Sequence, residues 1–227
     1  MGDAIGKTDW AILKPCCSSS GDILAPSAAL RPIDATYEPG SVANGLDTAA
    51  YGAGQVVWTA HSQVGNGAWT VLAVALPDEY LLKIHELWPL PNSTASLSAF
   101  TWGATGCAAG KPVLACLHGF TEGQPLALVT PKKEEGKLPL QHSVVVAELK
   151  GGWVVLGEMS KYVTLSPARF TSITVTAAEL TMEVRGAAGE VVTVLLRKPA
   201  AQALSEVTVR IGSEGSATAT VQRAGYN

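Results

Sequence analysis

The sequence predicts an all-β fold: an antiparallel β-sandwich of many short strands, with one minor helix near the N-terminus. Three observations lead to this prediction. The chain of 227 residues contains 23 Gly and 13 Pro, which interrupt helices and favour turns. Its apolar segments are short and end at Gly, Pro or Asn. Towards the C-terminus Thr and Val alternate, which is typical of strands with one buried and one solvated face.

We divide the chain into an irregular linking segment, residues 1–44, and a β-sandwich domain, residues 45–227. In the linking segment, Thr8 and Asp9 can cap a helical turn. Pro15 would end that turn, because the residue before a proline is disfavoured in helical conformation.

The clearest hairpin consists of QVVWTAHSQV and AWTVLAVALP around the turn Gly65-Asn66-Gly67. Such a turn between two apolar runs is a strong hairpin signal. The second run is apolar on both faces, which predicts a central strand.

Two later regions complete the prediction. Residues 78–88 fit either a helix capped by Asp78 or a strand after a turn at Pro77. The last ninety or so residues predict antiparallel strands joined by tight turns, one of them the GAAG sequence.

Charge and hydropathy exclude several functions. The net charge is −3 and only 15% of residues are charged, so a phosphate-tracking surface for nucleic acid is not expected. No apolar run approaches the roughly 20 residues of a membrane-spanning helix, and MGDAIGKTDW lacks the pattern of a secretory signal. We therefore expect a soluble chain without membrane insertion, either intracellular, which is favoured, or an excised piece of a longer protein.

The cysteines and histidines do not predict a metal site or a cofactor. Cys16, Cys17, Cys107 and Cys116 lack CxxC spacing, and the four histidines are dispersed, whereas a zinc site needs three or four ligands on one frame. The simplest interpretation is small buried thiols in a reducing compartment. A nucleophilic Cys116 assisted by His118 is the alternative that would make the chain an enzyme.

No sequence pattern identifies catalytic residues. The chain has neither a GxSxG nucleophile elbow nor a P-loop, and its carboxylates do not follow the strand ends of a βα barrel. We therefore assign no catalytic residue.

The six tryptophans are the other notable feature. Trp58, Trp69 and Trp153 lie in strand patterns and are expected in the core. Trp88 and Trp102 lie near Pro- and Gly-rich ends, where an indole could face solvent and stack on a sugar.

Three segments carry a family resemblance. Residues 2–37, GDAIGKTDWAILKPCCSSSGDILAPSAALRPIDATY, resemble the stretch that follows the barrel in raffinose-synthase-like and α-galactosidase-like glycoside hydrolases. Residues 55–80 resemble the first strands of the C-terminal β-domain of those enzymes, and residues 151–176 resemble its later strands.

The resemblance implies a C-terminal β-sandwich without the catalytic barrel, since the two catalytic aspartates of the family belong to that barrel. It also implies that Asp3 and the loop around Trp58 and His61 contact carbohydrate. With Trp88 and Trp102, these residues form the predicted carbohydrate-binding set.

Two functions remain open at this stage. The chain is either a non-catalytic accessory module that contacts carbohydrate or packs on a partner, or a β-rich assembly subunit of a larger complex. Its 47% hydrophobic composition favours a protein partner or an oligomer, because apolar surface left exposed marks interaction sites.

Overall fold

A computed structural model describes residues 13–34, 56–74, 76, 78–102, 116–130, 140–201 and 203–223. These residues confirm the all-β prediction, because they form strands and turns and contain helical structure only as short turns. The strands are β1 (Arg31–Pro32), β2 (Val56–Ser62), β3 (Ala68–Val74), β4 (Tyr80–Leu82), β5 (Leu97–Thr101), β6 (Leu117–Phe120), β7 (Leu126–Leu128), β8 (Leu140–Ala147), β9 (Val154–Gly157), β10 (Phe170–Val175), β11 (Glu179–Arg185), β12 (Val191–Arg197), β13 (Leu204–Arg210) and β14 (Ser216–Gln222).

The minor N-terminal helix is a single 3₁₀ turn, Lys14–Cys16. Pro15 lies within this turn, where its missing N–H is tolerated, so the prediction that Pro15 ends the helical turn is wrong. Thr8 and Asp9, the predicted caps, lie outside the described residues.

The chain forms two compact units. The C-terminal unit contains, among the described residues, 13–27, 62–65, 149–201 and 203–223, and the central unit contains the others. The predicted boundary between residues 44 and 45 lies outside the described residues and stays a prediction.

The central unit is built on a six-stranded sheet in the order β1-β2-β3-β8-β5-β6. The predicted hairpin is confirmed as β2 and β3. As predicted, β3 is an interior strand of the sheet, and its side chains are buried or half-buried on both faces. The turn between them uses positive φ at Gly65 and Gly67, which glycine adopts without steric cost.

A smaller sheet of β4 and β7 belongs to the same unit. Residues 78–88, which fit either a helix or a strand by sequence, contain both β4 and a 3₁₀ turn at Ile84–Glu86. The buried Leu82, Leu126 and Leu128 join the apolar core formed with the six-stranded sheet. Trp69 lies in this core at 2% exposure, which confirms its predicted place.

The C-terminal unit contains two three-stranded antiparallel sheets, β10-β11-β14 and β13-β12-β9. In β11 and β12, alternate apolar residues are fully buried while their neighbours are exposed, as expected of a sheet with one dry face. Trp153 is also buried here, at 1% exposure, as predicted. The strand order departs from the sequence order, since β14 pairs with β11 and lies in a different sheet from β13.

Candidate functional site

The most exposed aromatic side chain of the predicted set is Trp88, in the segment after β4. Its side chain is 53% exposed. The Cζ atom of Arg31 lies over the indole, 4.2 Å from the ring centroid, within the range of a cation–π contact. We call Trp88 and Arg31 together the Trp88 platform.

Residues on both sides of Trp88 hold it in place. Leu87 is buried at 1% exposure, and the carbonyl oxygen of Pro89 accepts a 2.9 Å hydrogen bond from Nε1 of the buried Trp69. The two anchored neighbours hold the backbone at Trp88 in place, which lowers the entropic cost of ordering this segment when a ligand binds.

Glu86 organises the turn that leads into the platform. Its Oε2 accepts a 2.7 Å hydrogen bond from the Lys83 N–H, and its Oε1 accepts a hydrogen bond from the Tyr80 hydroxyl. Both carboxylate oxygens of Glu86 therefore stabilise the chain between β4 and Trp88.

His61 contacts the buried Trp69 and is itself half-buried. Its imidazole lies 5.0 Å from the Trp69 indole, centroid to centroid, at 47°. Gly67, at φ +106°, makes room for both rings, since a Cβ there would lie 3.1 Å from Trp69 Cη2 and 3.2 Å from His61 Nε2. Burial lowers the pKa of His61, so its imidazole is neutral at pH 7.

Trp102 is less available than its sequence context predicts. Its indole stacks on His142 with centroids 4.0 Å apart and planes 1° apart, and Phe100 contacts it edge-on at 5.3 Å and 81°. One face of Trp102 is thus covered by a protein ring.

Trp58 and His61 lie on opposite faces of β2, because successive side chains of a strand alternate. Trp58 is half-buried and pairs with Pro32 across β1. His61 contacts Trp69, whose Nε1 donates to the carbonyl oxygen of Pro89, the residue after Trp88, whereas Trp58 lies on the other face of β2. Asp3 lies outside the described residues.

Sequence reasoning missed Arg31, and it assigned Trp69 only to the core. Arg31 reaches the platform because β1 pairs with β2, placing it opposite Thr59. No local pattern in residues 30–34, LRPID, predicts that long-range pairing.

The cysteine prediction needs correction. Cys16 and Cys17 are not disulfide-bonded, but Cys116 is. A disulfide sulfur is not a thiolate and cannot attack a substrate as the Cys116–His118 alternative requires. Cys107 lies outside the described residues.

Alkylation of the denatured, unreduced protein should modify two of its four cysteines, and reduction should expose the other two. Intact-mass measurement before and after reduction distinguishes this result from four free thiols, which would contradict the bond at Cys116. A Cys116→Ser variant is the control and should show no change in alkylation on reduction.

The described part of the chain contains no grouping of three or more His, Cys, Asp or Glu side chains that could hold a metal ion. Within the same part, no helix is both long and apolar enough to cross a bilayer. No protein-family model matches the chain, and no curated protein is significantly similar to it.

Proposed function

We propose that the chain is a non-catalytic β-sandwich module that contacts carbohydrate at the Trp88 platform. On this proposal it is related to the C-terminal domain of raffinose-synthase-like and α-galactosidase-like glycoside hydrolases. The resemblance of residues 2–37, 55–80 and 151–176 motivates the family part of the proposal.

The observation that carries the binding part is the 53% exposure of Trp88 together with its contact with Arg31. Sugars present apolar C–H faces that pack on an indole. Arg31 lies over one face of the ring, so a sugar would pack on the other face, and the guanidinium N–H groups can donate to hydroxyl oxygens. A ligand would therefore meet an apolar surface and directional donors at one place.

Replacing Trp88 with alanine should weaken saccharide binding about tenfold or more, since truncating an aromatic anchor typically costs at least 1.4 kcal/mol. The measurement is titration of wild type and Trp88→Ala with galactosides, followed by calorimetry and by intrinsic tryptophan fluorescence.

Trp102→Phe is the matched control, because it removes an indole that already stacks on His142. It should bind as wild type does. Equal affinity of wild type and Trp88→Ala for every saccharide bound, or no saturable binding by wild type, would contradict the proposal.

A second candidate function is docking within a larger assembly. Leu81, Leu90 and Val129 in the central unit are exposed at 49%, 60% and 57%, and apolar side chains of this size favour protein contacts when they cluster. A wild-type protein that binds no saccharide but shows concentration-dependent mass by light scattering would favour this candidate.

A further inference from the structure

The unused hydrogen-bonding capacity of Arg31 suggests what the ligand of the Trp88 platform is. Within the described residues, the side chain of Arg31 contacts the Trp88 ring, and no carboxylate there pairs with it. The ion pairs found in this part of the chain are those of Arg169 in the other unit.

The carboxylate closest to Trp88 in sequence is already engaged. Glu86 accepts hydrogen bonds from Lys83 and Tyr80. Among the described residues, no ion pair joins Arg31 to Glu86 or to Asp34, the carboxylate nearest to Arg31 in sequence, so the guanidinium is available to an anionic ligand.

The shape of the guanidinium defines the group that it can accept. Its five N–H donors lie in one plane at its rim, whereas the contact with Trp88 is made over the ring, with Cζ 4.2 Å from the centroid. Donors at the rim match the two oxygens of a carboxylate or sulfate. An anionic group on these donors would hold the rest of its ligand next to the indole.

We propose that the Trp88 platform selects acidic saccharides, with a carboxylate or sulfate group bound by Arg31 and a sugar ring packed on Trp88. This inference rests on the proposed carbohydrate-binding function and adds the class of ligand. Uncharged N–H donors would distinguish acidic from neutral sugars only weakly, whereas the fixed positive charge of Arg31 favours an anionic group.

The test compares three probes of equal length: an oligogalacturonate, a sulfated galactan oligosaccharide and a neutral galacto-oligosaccharide. Wild-type protein should bind at least one acidic probe about tenfold or more tightly than the neutral one, as hydrogen bonds to charged groups contribute more than neutral ones. The first two probes distinguish carboxylate from sulfate as the preferred anion.

Arg31→Gln should lower the affinity for the acidic probes more than that for the neutral probe, and so remove the preference. Arg31→Lys keeps the positive charge but loses the planar guanidinium, so it should retain only part of the preference for acidic probes. Arg210→Gln is the matched control, since Arg210 is an exposed arginine of the C-terminal unit. It should keep the wild-type preference, and thermal melting should confirm that all three variants are folded.

The possible failures are distinguishable. Equal affinity for acidic and neutral probes, or an acidic preference that Arg31→Gln retains, would overturn this inference and leave the proposed function intact. Absence of binding to all three probes would overturn both.

Discussion

Replacing Arg169 with methionine is expected to lower the free energy of unfolding by about 3–5 kcal/mol, because it leaves two buried carboxylates without a counter-charge. Arg169 is 1% exposed and its partners Glu158 and Glu190 are each 8% exposed at the side chain. Neither carboxylate can recover its lost hydration while the C-terminal unit remains folded.

The guanidinium of Arg169 makes several short hydrogen bonds in this cluster. Arg169 Nε donates to Glu158 Oε2 at 2.9 Å, while Nη2 and Nη1 donate to the two oxygens of Glu190 at 2.7 and 3.0 Å. Nη1 also donates to the carbonyl oxygen of Arg185 at 2.7 Å. The fork of Arg169 thus joins the loop after β9, the end of β11 and the turn before β12.

Glu190 extends the cluster to the N-terminal segment. Its Oε1 accepts a 3.0 Å hydrogen bond from the Ser19 N–H, and its Oε2 accepts one of 2.9 Å from Ala187. Loss of Arg169 should therefore loosen residues near Ser19 as well, which amide hydrogen exchange would detect.

Urea denaturation measures the loss of stability. Arg185→Met is the matched control, because the Arg185 side chain is exposed and only its backbone oxygen serves the cluster. The triple variant Glu158→Gln, Arg169→Met, Glu190→Gln should regain part of the stability, since it removes the unpaired charges. A single Arg169→Met variant as stable as Arg185→Met would contradict the argument.

Acid titration gives an independent measure of the same cluster. Burial alone would raise the pKa of Glu190, but hydrogen bonds from Arg169, Ser19 and Ala187 outweigh it and lower the pKa to about 2. A carboxyl with a depressed folded-state pKa contributes stability above its unfolded value and loses it as pH falls towards the folded value. Wild-type stability should therefore decline between about pH 4.5 and pH 2. In Arg169→Met this decline should be smaller, because without the guanidinium burial raises the pKa of Glu190 towards or above its unfolded value.

Much of the fold could be predicted because strand signals are local. The alternation in β2, the Gly65-Asn66-Gly67 turn and the apolar run of β3 are each read within a few residues, and the hairpin follows from them. The return of β14 to pair with β11 could not be predicted, since strand order depends on packing between distant segments.

The candidate site could be predicted only in part for the same reason. Trp88 stands out by its Pro-rich context, but Arg31 reaches it through the pairing of β1 with β2. The stacking of Trp102 on His142 likewise needs the pairing of β5 with β8. By contrast, the period of two in β2 already indicates that Trp58 and His61 lie on opposite faces, which argues against both lining one site.

Replacing Gly157 with alanine should destabilise the C-terminal unit by roughly 3–5 kcal/mol, from backbone strain and steric overlap together. Gly157 ends β9 at φ +87°, and a Cβ there would lie 2.1 Å from the Thr164 carbonyl oxygen and 2.9 Å from Leu165 Cγ. That oxygen cannot simply move away, because it accepts a 2.8 Å hydrogen bond from the Glu158 N–H.

Gly189→Ala separates the two contributions. Gly189 has nearly the same φ, +80°, but a Cβ there would meet nothing within 4 Å, so its substitution should cost only the conformational strain of roughly 1–2 kcal/mol. The difference between the two variants in urea denaturation then measures the overlap at Thr164. Because Glu158 follows Gly157 directly, the displaced loop should also weaken the ion pair with Arg169. Similar losses of stability in Gly157→Ala and Gly189→Ala would show that the loop yields easily and that the close approach at Gly157 contributes little.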